Sequence, residues 1–198
     1  MKKTLMLVYL FGLLIITACN SVSGTVVPAS APSPTPQAVV ENKRLPTPAP
    51  LDQLIIYDNL QLEMSKAEIT TGYLTEYGSE REPPAGKKFI WIYILLKNVG
   101  QGEQTMPAPE HFSVLNGEAE FKPTYGHRKD HADYMTLSTS MVQRQEVDAW
   151  LRFDIPAAAE LQDLIFAFLP ESSQVSFGFS SSDYSWADHP IYLWKLAP

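Results

Sequence analysis

The stretch Phe112-Ser-Val-Leu-Asn-Gly-Glu-Ala-Glu-Phe121 indicates the fold most directly. Its central dipeptide, Asn116-Gly117, tolerates the positive φ values of a type I′ turn, whose twist suits two antiparallel strands. A two-residue loop at this dipeptide pairs Leu115 with Glu118 and sorts the side chains by face. One face holds Phe112, Val114, Ala119 and Phe121, and the other holds Ser113, Glu118 and Glu120. The stretch therefore predicts a β-hairpin.

Residues 147–155 alternate just as regularly between apolar and polar side chains. One face of the predicted strand carries Val147, Ala149, Leu151, Phe153 and Ile155, and the other carries Asp148, Trp150, Arg152 and Asp154. Pro156 has no N–H to donate, so we expect it to end the pairing.

Six further stretches have the composition of strands: 54–57, 61–71, 88–98, 164–169, 175–179 and 191–196. Helical periodicity is scarce, and only 127–137 and 157–162 have room for a helical turn or two. Short strands separated by turn-rich segments predict an all-β chain that folds as an antiparallel β-sandwich.

The strand that includes residues 89–96 is unusual because both of its faces are apolar. Ile90, Ile92, Ile94 and Leu96 form one face, and Phe89, Trp91, Tyr93 and Leu95 form the other. Antiparallel sheets usually leave one face to water, so something must cover the second face.

Two coverings of this aromatic face are open. The favoured one is the tail after Pro170, which contains Phe177, Phe179, Tyr184, Trp186, Tyr192 and Trp194. The other is a binding partner, because contiguous exposed aromatic side chains mark interaction sites. In that case Trp91, Tyr93 and Trp150 would be exposed on sheet faces and would form the binding surface.

The N-terminus has the organisation of an export signal. Lys2 and Lys3 supply positive charge, residues 5–16 are apolar, and the sequence Ile15-Ile-Thr-Ala-Cys19 follows. Small residues that end on a cysteine resemble the lipobox of bacterial lipoproteins. The resemblance implies that residues 1–18 are removed and that Cys19 carries a diacylglyceryl thioether with fatty acyl chains such as palmitate. We expect an extracytoplasmic protein that is attached to the bacterial cell membrane through Cys19.

Residues 19–50 lack the composition of a hydrophobic core. Seven prolines, at positions 28, 32, 34, 36, 46, 48 and 50, favour an extended and disordered segment. We interpret this segment as a stalk. Residues 51–198 have the length of one domain, which we expect to be the β-sandwich.

The charge and the cysteine content limit the classes of function. The formal net charge is −7, and removal of residues 1–18 takes away two lysines, so the mature charge is −9. An acidic protein has no electrostatic reason to bind nucleic acid. Cys19 is the single cysteine, so a lipidated chain has no thiol for a disulfide or a thiolate metal site. We predict no cofactor.

His127 and His131 offer the alternative function. Their spacing would place both imidazoles on one face of a helical turn, and Asp130 or Asp133 could add a carboxylate ligand for zinc. The surrounding segment is charged and carries no HExxH glutamate, so a solvated loop is the favoured interpretation. No Gly-x-Ser-x-Gly or phosphate-loop motif occurs, and we predict that the protein is not an enzyme.

Four segments together resemble a family of bacterial extracytoplasmic lipoprotein domains of unknown function: residues 85–100, Phe112-Ser-Val-Leu115, Leu151-Arg-Phe-Asp-Ile-Pro156 and Leu164-Ile-Phe-Ala-Phe168. The resemblance implies a telokin-like, immunoglobulin-like sandwich. This sequence departs from the family pattern at residues 139–145, where a Pro-Gly-Glu type turn is usual. We expect a non-enzymatic domain that binds a protein or another component of the cell envelope.

Overall fold

The computed structural model describes residues 46–171 and 190–197. The predicted signal peptide, Cys19 and most of the predicted stalk lie outside the described residues, as does the predicted strand 175–179. Within the described ranges, no helix has the length and apolar character needed to cross a membrane.

Strands dominate the described part of the chain. They are β1 (Ile55–Tyr57), β2 (Leu60–Thr70), β3 (Tyr73–Leu74), β4 (Glu80–Arg81), β5 (Lys87–Asn98), β6 (Gln104–Thr105), β7 (Phe112–Asn116), β8 (Ala119–Phe121), β9 (Ser140–Met141), β10 (Glu146–Pro156), β11 (Leu164–Phe168) and β12 (Tyr192–Lys195). Short 3₁₀ helices occupy Pro109–His111, Tyr134–Thr136 and Leu161–Asp163.

Two four-stranded antiparallel sheets form the domain. The first has the order β1-β2-β5-β10 and the second has the order β12-β11-β7-β8. Strands β3 and β4 form a small hairpin, and β6 pairs with β9. The predicted antiparallel β-sandwich is therefore confirmed. Five of the six further predicted stretches, all but 175–179, and the predicted strand 147–155 begin and end within one residue of the observed strands.

The hydrophobic core lies between the two sheets because each long strand presents its apolar face inward. The isoleucine face of β5 is fully buried there, as predicted. The inward residues of β10 are buried against it, from Ala149 to Ile155. Other large side chains of this core are Leu62, Met64, Phe112, Phe166 and Trp194. Strands β5 and β10 pair over their whole length, from Lys97 opposite Glu146 to Lys87 opposite Pro156.

The hairpin of β7 and β8 forms as predicted, but its predicted register is wrong. Asn116 pairs with Ala119 and Val114 pairs with Phe121, so the loop is Gly117-Glu118 rather than Asn116-Gly117. Gly117 has a φ of 58° and is the residue of this loop with a positive φ. A type II′ turn needs glycine at its first loop position, which explains the shift. The pairing changes by two residues, so the predicted faces are kept.

The outer edge of β10 is occupied by the connection that follows β8. The backbone N–H of Trp150 donates to the carbonyl of Ala132 at 2.8 Å, and the N–H of Thr124 donates to the carbonyl of Arg152 at 2.7 Å. Pro156 closes the strand without an N–H. The connection therefore runs beside the first sheet and places its side chains over the outer face of that sheet.

Candidate ligand-binding cleft

The outer, aromatic face of β5 is covered by residues that the sequence did not indicate. Tyr73 of β3 packs edge-on against Phe89 and Trp91, with ring centroids 5.3 and 5.0 Å away. His131 covers Trp91 from the other side, at 5.2 Å. The hairpin of β3 and β4 and the segment 122–134 therefore roof this face.

The prediction that the C-terminal tail covers this face is wrong for Tyr192 and Trp194, the two aromatic tail residues that lie within the described residues. Tyr192 and Trp194 lie on β12 in the second sheet and pack against the core between the sheets. Their strand pairs with β11, which directs both rings away from the outer face of β5. Phe177, Phe179, Tyr184 and Trp186 lie outside the described residues.

The predicted exposure of Trp91 and Trp150 is also wrong. Trp91 is 1% exposed and Trp150 is 9% exposed, while Tyr93 is half-buried. The indole N–H of Trp91 donates to the hydroxyl of Thr70 at 3.1 Å, and the Tyr93 ring meets Trp150 at 5.3 Å. These three residues form a packed cluster rather than an open surface.

His131 belongs to the same cluster. Its imidazole stacks on Trp150 with a centroid distance of 3.9 Å, and its side chain is only 5% exposed. Its Nε2 atom lies 3.1 Å from a carboxylate oxygen of Glu68. The predicted solvated loop is therefore wrong at this position, because the imidazole fills the space between two indoles.

The two histidines of the metal hypothesis have different environments. His127 packs edge-on against Tyr125 and its Nδ1 atom lies 3.8 Å from Glu76, whereas His131 contacts Glu68 and the indoles. Among the residues that the structure describes, no group of three or more His, Cys, Asp or Glu side chains is arranged to hold a metal ion. Nothing in this geometry supports the metal alternative.

Glu68 of β2 lies at the centre of the ionic contacts that hold the roof. Burial alone would raise the pKa of its carboxyl group, but hydrogen bonds and charge from Arg128, and then from His131, outweigh burial and hold that pKa below its ordinary value of 4.5. Arg128 also places its guanidinium 5.5 Å from the ring of Trp91. The roof therefore attaches to β2 through ionic contacts and to β5 through aromatic contacts.

A cleft of about 440 Å³ opens between the two parts of the roof. One wall is the hairpin of β3 and β4, the other is the segment around Tyr125, and the floor is formed by side chains of β5 and β10. The lining residues are Tyr73, Thr75, Tyr77, Ser79, Arg81, Glu82, Pro84, Phe89, Tyr125, Gly126, His127, Arg152 and Asp154.

The tip of the hairpin wall is a tight, hydrogen-bonded turn. Thr75 donates its N–H to the carbonyl of Ser79 at 2.8 Å, and its hydroxyl accepts from the N–H of Ser79 at 3.0 Å. Gly78 has a φ of 79°, a conformation that glycine adopts without strain. The turn holds the ring of Tyr77 in solvent, where it is 83% exposed. A hydrogen bond with Glu76 raises the pKa of Tyr77.

Arg152 is held firmly in the floor of the cleft. Its Nη1 donates to the hydroxyl of Tyr73 at 2.9 Å, its Nε donates to the hydroxyl of Thr124 at 3.0 Å, and its guanidinium lies 4.8 Å from the ring of Phe89. Gly126 passes so close that a Cβ atom there would lie 2.9 Å from Cδ of Arg152. The floor therefore has little freedom to rearrange.

The sequence indicates none of the residues of this cleft as ligand contacts. The alternation of β10 places Arg152 on the polar face of its strand, and no motif marks Tyr73, Tyr77 or Tyr125. The available signal was local: Tyr77-Gly78 places an aromatic ring beside a turn glycine within a polar stretch, where burial is not expected. The pairing of the two walls has no comparable signal, because they are about 50 residues apart.

No model of a known protein family matches the chain, and no curated protein matches it. The fold is similar to that of the yjhA protein of Bacillus subtilis, with a TM-score of 0.51, 12% identity, and coverage of 74% of this chain and 97% of that one. This likeness shows the fold alone.

Two further solved structures match with lower TM-scores. One is ycdA, a candidate lipoprotein of Bacillus subtilis, with a TM-score of 0.45, 10% identity, and coverage of 74% of this chain and 39% of that one. The other is an uncharacterized β-sandwich protein of Clostridium difficile, with a TM-score of 0.45, 13% identity, and coverage of 78% and 99%. The resemblance to telokin-like domains stays a prediction.

Proposed function

We propose that this protein is a lipid-anchored, extracytoplasmic binding protein without enzymatic activity. In this proposal residues 1–18 are a cleaved signal peptide, Cys19 carries the lipid, and residues 19–50 are a spacer. Residues 51–198 form the domain that binds a component of the cell envelope. The export sequence that ends at Cys19 supports the location, and the cleft supports the binding role.

The observation that carries the binding role is the cleft with two exposed tyrosine rings in its walls. Tyr77 is 83% exposed and Tyr125 is 54% exposed, although the aromatic side chains of Phe89 and Trp91 on the sheet below are buried. Ligand sites are usually preformed concave surfaces with aromatic side chains and a few fixed polar groups. Aromatic rings held in solvent on a hydrogen-bonded turn and beside His127 fit that description.

The polar groups of the floor are suited to holding a ligand rather than to reacting with it. Arg152 is engaged by two hydroxyl groups, and Asp154 accepts from the hydroxyl of Thr124 at 3.2 Å. These bonds fix both charged side chains in place, as in preformed ligand sites with a few oriented polar groups.

The lipid explains how such a domain stays at the envelope. Each buried methylene group contributes about 0.8 kcal/mol, and at least two acyl chains are needed for stable attachment to a membrane. A diacylglyceryl group on Cys19 meets this requirement. The spacer would then allow the sandwich to reach targets up to roughly 100 Å from the bilayer surface.

Substitution of the cysteine tests the anchor. The native chain, expressed with a C-terminal tag in a bacterium that processes lipoproteins, should partition into detergent and begin at a diacylated Cys19 by mass spectrometry. The variant Cys19→Ala should lose both properties and retain the same folded domain. An unprocessed chain that begins at Met1 and lacks the lipid contradicts the anchor.

Site-specific photocrosslinking tests the binding role. A photoreactive amino acid at position 77 should form an adduct on intact cells, while the same residue at Val142 should not. Val142 is a suitable control because it is 62% exposed and does not line the cleft. Equal adducts at both positions, or none at position 77, would contradict a binding role for the cleft.

A further inference from the structure

The chemistry of the cleft restricts the class of ligand that it can hold. Its charged lining consists of two arginines, Arg81 and Arg152, and two carboxylates, Glu82 and Asp154. With histidine counted as neutral, these charges cancel. The cleft therefore favours neither anions nor cations. An acyl chain is also a poor ligand, because it would leave the polar groups of the lining without partners.

Balanced donors and acceptors suit a ligand whose groups both donate and accept hydrogen bonds. Arginine only donates, carboxylates only accept, and hydroxyl groups do both. Ser79 and Thr75 add hydroxyl groups to the hairpin wall. The complementary ligand is rich in neutral hydroxyl groups, since each of them can bridge an arginine and a carboxylate.

The tyrosine rings add a second requirement. An exposed ring offers a flat apolar face that attracts C–H groups and keeps a polar edge in water. Tyr77 belongs to the hairpin wall and Tyr125 to the other wall, and both rings are largely exposed. The ligand must therefore combine flat apolar faces with a polar rim. Sugars in the pyranose form have this combination, since their axial C–H groups form apolar patches on the faces of the ring and their hydroxyl groups surround it.

The two walls are already connected, which lowers the entropic cost of binding. His127 shares a hydrogen bond with the hydroxyl of Tyr125 and lies 3.8 Å from Glu76, the neighbour of Tyr77. These contacts bring the two walls together and hold the Tyr125 ring in place before the ligand arrives. Preorganised sites lose less freedom on binding than flexible ones do.

We infer that the cleft binds a neutral glycan built of pyranose sugars. The sugar faces lie against Tyr77 and Tyr125, and the hydroxyl groups bond to the charged side chains at the floor. This inference rests on the proposed binding function and adds the class of ligand. It makes no use of the lipid anchor, so it can be tested with full-length protein in detergent.

The test is isothermal titration with a defined panel. The neutral probes are chitotetraose, cellotetraose and maltotetraose, and the charged probes are tetraglutamate and tetralysine. At least one neutral probe should bind the native chain. Tyr77→Ala and Tyr125→Ala should each raise its dissociation constant about tenfold, which corresponds to about 1.4 kcal/mol.

Two variants separate a specific contact from a general loss of structure. Tyr77→Phe keeps the ring and should retain most of the affinity, while Val142→Ala changes an exposed apolar residue outside the cleft and should retain all of it. Circular dichroism should show the same fold in every variant, because both tyrosines are largely exposed.

The outcomes distinguish this inference from the proposed function. Binding of charged probes alone, binding that survives both alanine variants, or no binding to any neutral probe overturns the glycan inference. If photocrosslinking at position 77 still captures a component of the envelope, the cleft keeps its binding role with another ligand. If that crosslinking also fails, both proposals fall.

Discussion

The imidazole of His131 stacks on the indole of Trp150 with ring centroids 3.9 Å apart and 21° between the planes. The same imidazole meets Trp91 edge-on at 5.2 Å and lies 3.1 Å from Glu68. A histidine considered as a metal ligand and two tryptophans considered as a binding surface thus form one structural cluster. Their shared role is to close the outer face of the first sheet.

Loss of this imidazole should destabilise the domain. His131→Ala removes two aromatic contacts of about 0.5–1.5 kcal/mol each and a hydrogen bond to a charged group. We expect the free energy of unfolding, measured by urea denaturation, to fall by roughly 2–4 kcal/mol. His127→Ala is the control, because its side chain is 30% exposed and should cost less than about 1 kcal/mol. Equal losses of stability in the two variants would contradict the structural role of the His131 cluster.

The ion pair of Glu68 should make the stability of the folded domain depend on pH in the acid range. The pKa of this carboxyl group is lowered in the folded protein from its ordinary 4.5 by Arg128 and His131. A lowered pKa stabilises the folded state above pH 4.5, and the stabilisation is lost as the pH falls through the folded value. The native chain should lose stability in that window, whereas Glu68→Gln should lose less.

Arg128→Ala provides the matched measurement for this pH dependence. It removes the strongest partner that lowers the pKa of Glu68 and should reduce the same acid-dependent loss. Urea denaturation of the three proteins at several pH values below 5 checks both expectations. A parallel pH dependence in all three proteins would show that Glu68 is not coupled to Arg128.

Asn98 should be among the most sensitive polar residues of the domain. Its buried side chain donates to the carbonyls of Gly102, Met141 and Val142 at 2.7, 3.0 and 3.1 Å and accepts from the N–H of Gly100 at 2.9 Å. Asn98→Ala removes all four of these bonds at a buried position, so the free energy of unfolding should fall by about 2–4 kcal/mol.

The control for this prediction lies on the same loops. The side chain of Gln143 donates to Gln101 at 2.9 Å in an exposed position. Gln143→Ala should change the free energy of unfolding by less than about 0.5 kcal/mol, because water replaces the lost bond. A comparable loss in both variants would mean that burial does not set the importance of Asn98.

The close approach of Gly126 to Arg152 should appear as an energetic coupling. In Gly126→Ala the new Cβ would lie 2.9 Å from Cδ and 3.0 Å from Nη1 of Arg152, so the guanidinium must leave Tyr73. We expect a loss of about 1–3 kcal/mol in urea denaturation. The loss should shrink in the background Arg152→Ala, and strictly additive effects would contradict the contact.

Gly102, a glycine at an exposed site, provides the control for this measurement. A Cβ atom on Gly102 would meet nothing within 4 Å, and its φ is not positive. Gly102→Ala should therefore leave the free energy of unfolding unchanged or raise it by about 0.4–1 kcal/mol, since alanine reduces the freedom of the unfolded chain.

The strands could be predicted because each carries a local pattern. Alternation over 147–155 and the apolar run in β5 identify β10 and β5 without knowledge of any distant residue. Local pattern also fixed the faces of the hairpin at Gly117. It did not fix the register, since Asn-Gly suits a type I′ turn, in which both loop residues take a positive φ, while Gly-Glu suits a type II′ turn, in which only the glycine does.

The roof and the cleft could not be predicted, because their contacts are long-range and irregular. His131 reaches Trp91 from a connection without periodic structure, and Arg152 meets Tyr73 across 79 positions of sequence. The polar residues of the connection have the composition of a solvated loop. Hydrogen bonds between the backbone of the connection and β10 hold these residues against the sheet. No side-chain pattern in the sequence indicates such bonds.

That backbone attachment also governs how copies of the protein behave when they are crowded. A long outermost strand with free amide groups is a template on which a second chain can add, and repetition of this step builds cross-β fibrils. Here the amide of Trp150 and the carbonyl of Arg152 are bonded within the molecule, and Pro156 blocks the end. The connection beside β10 therefore removes this edge as a template for the addition of a second chain.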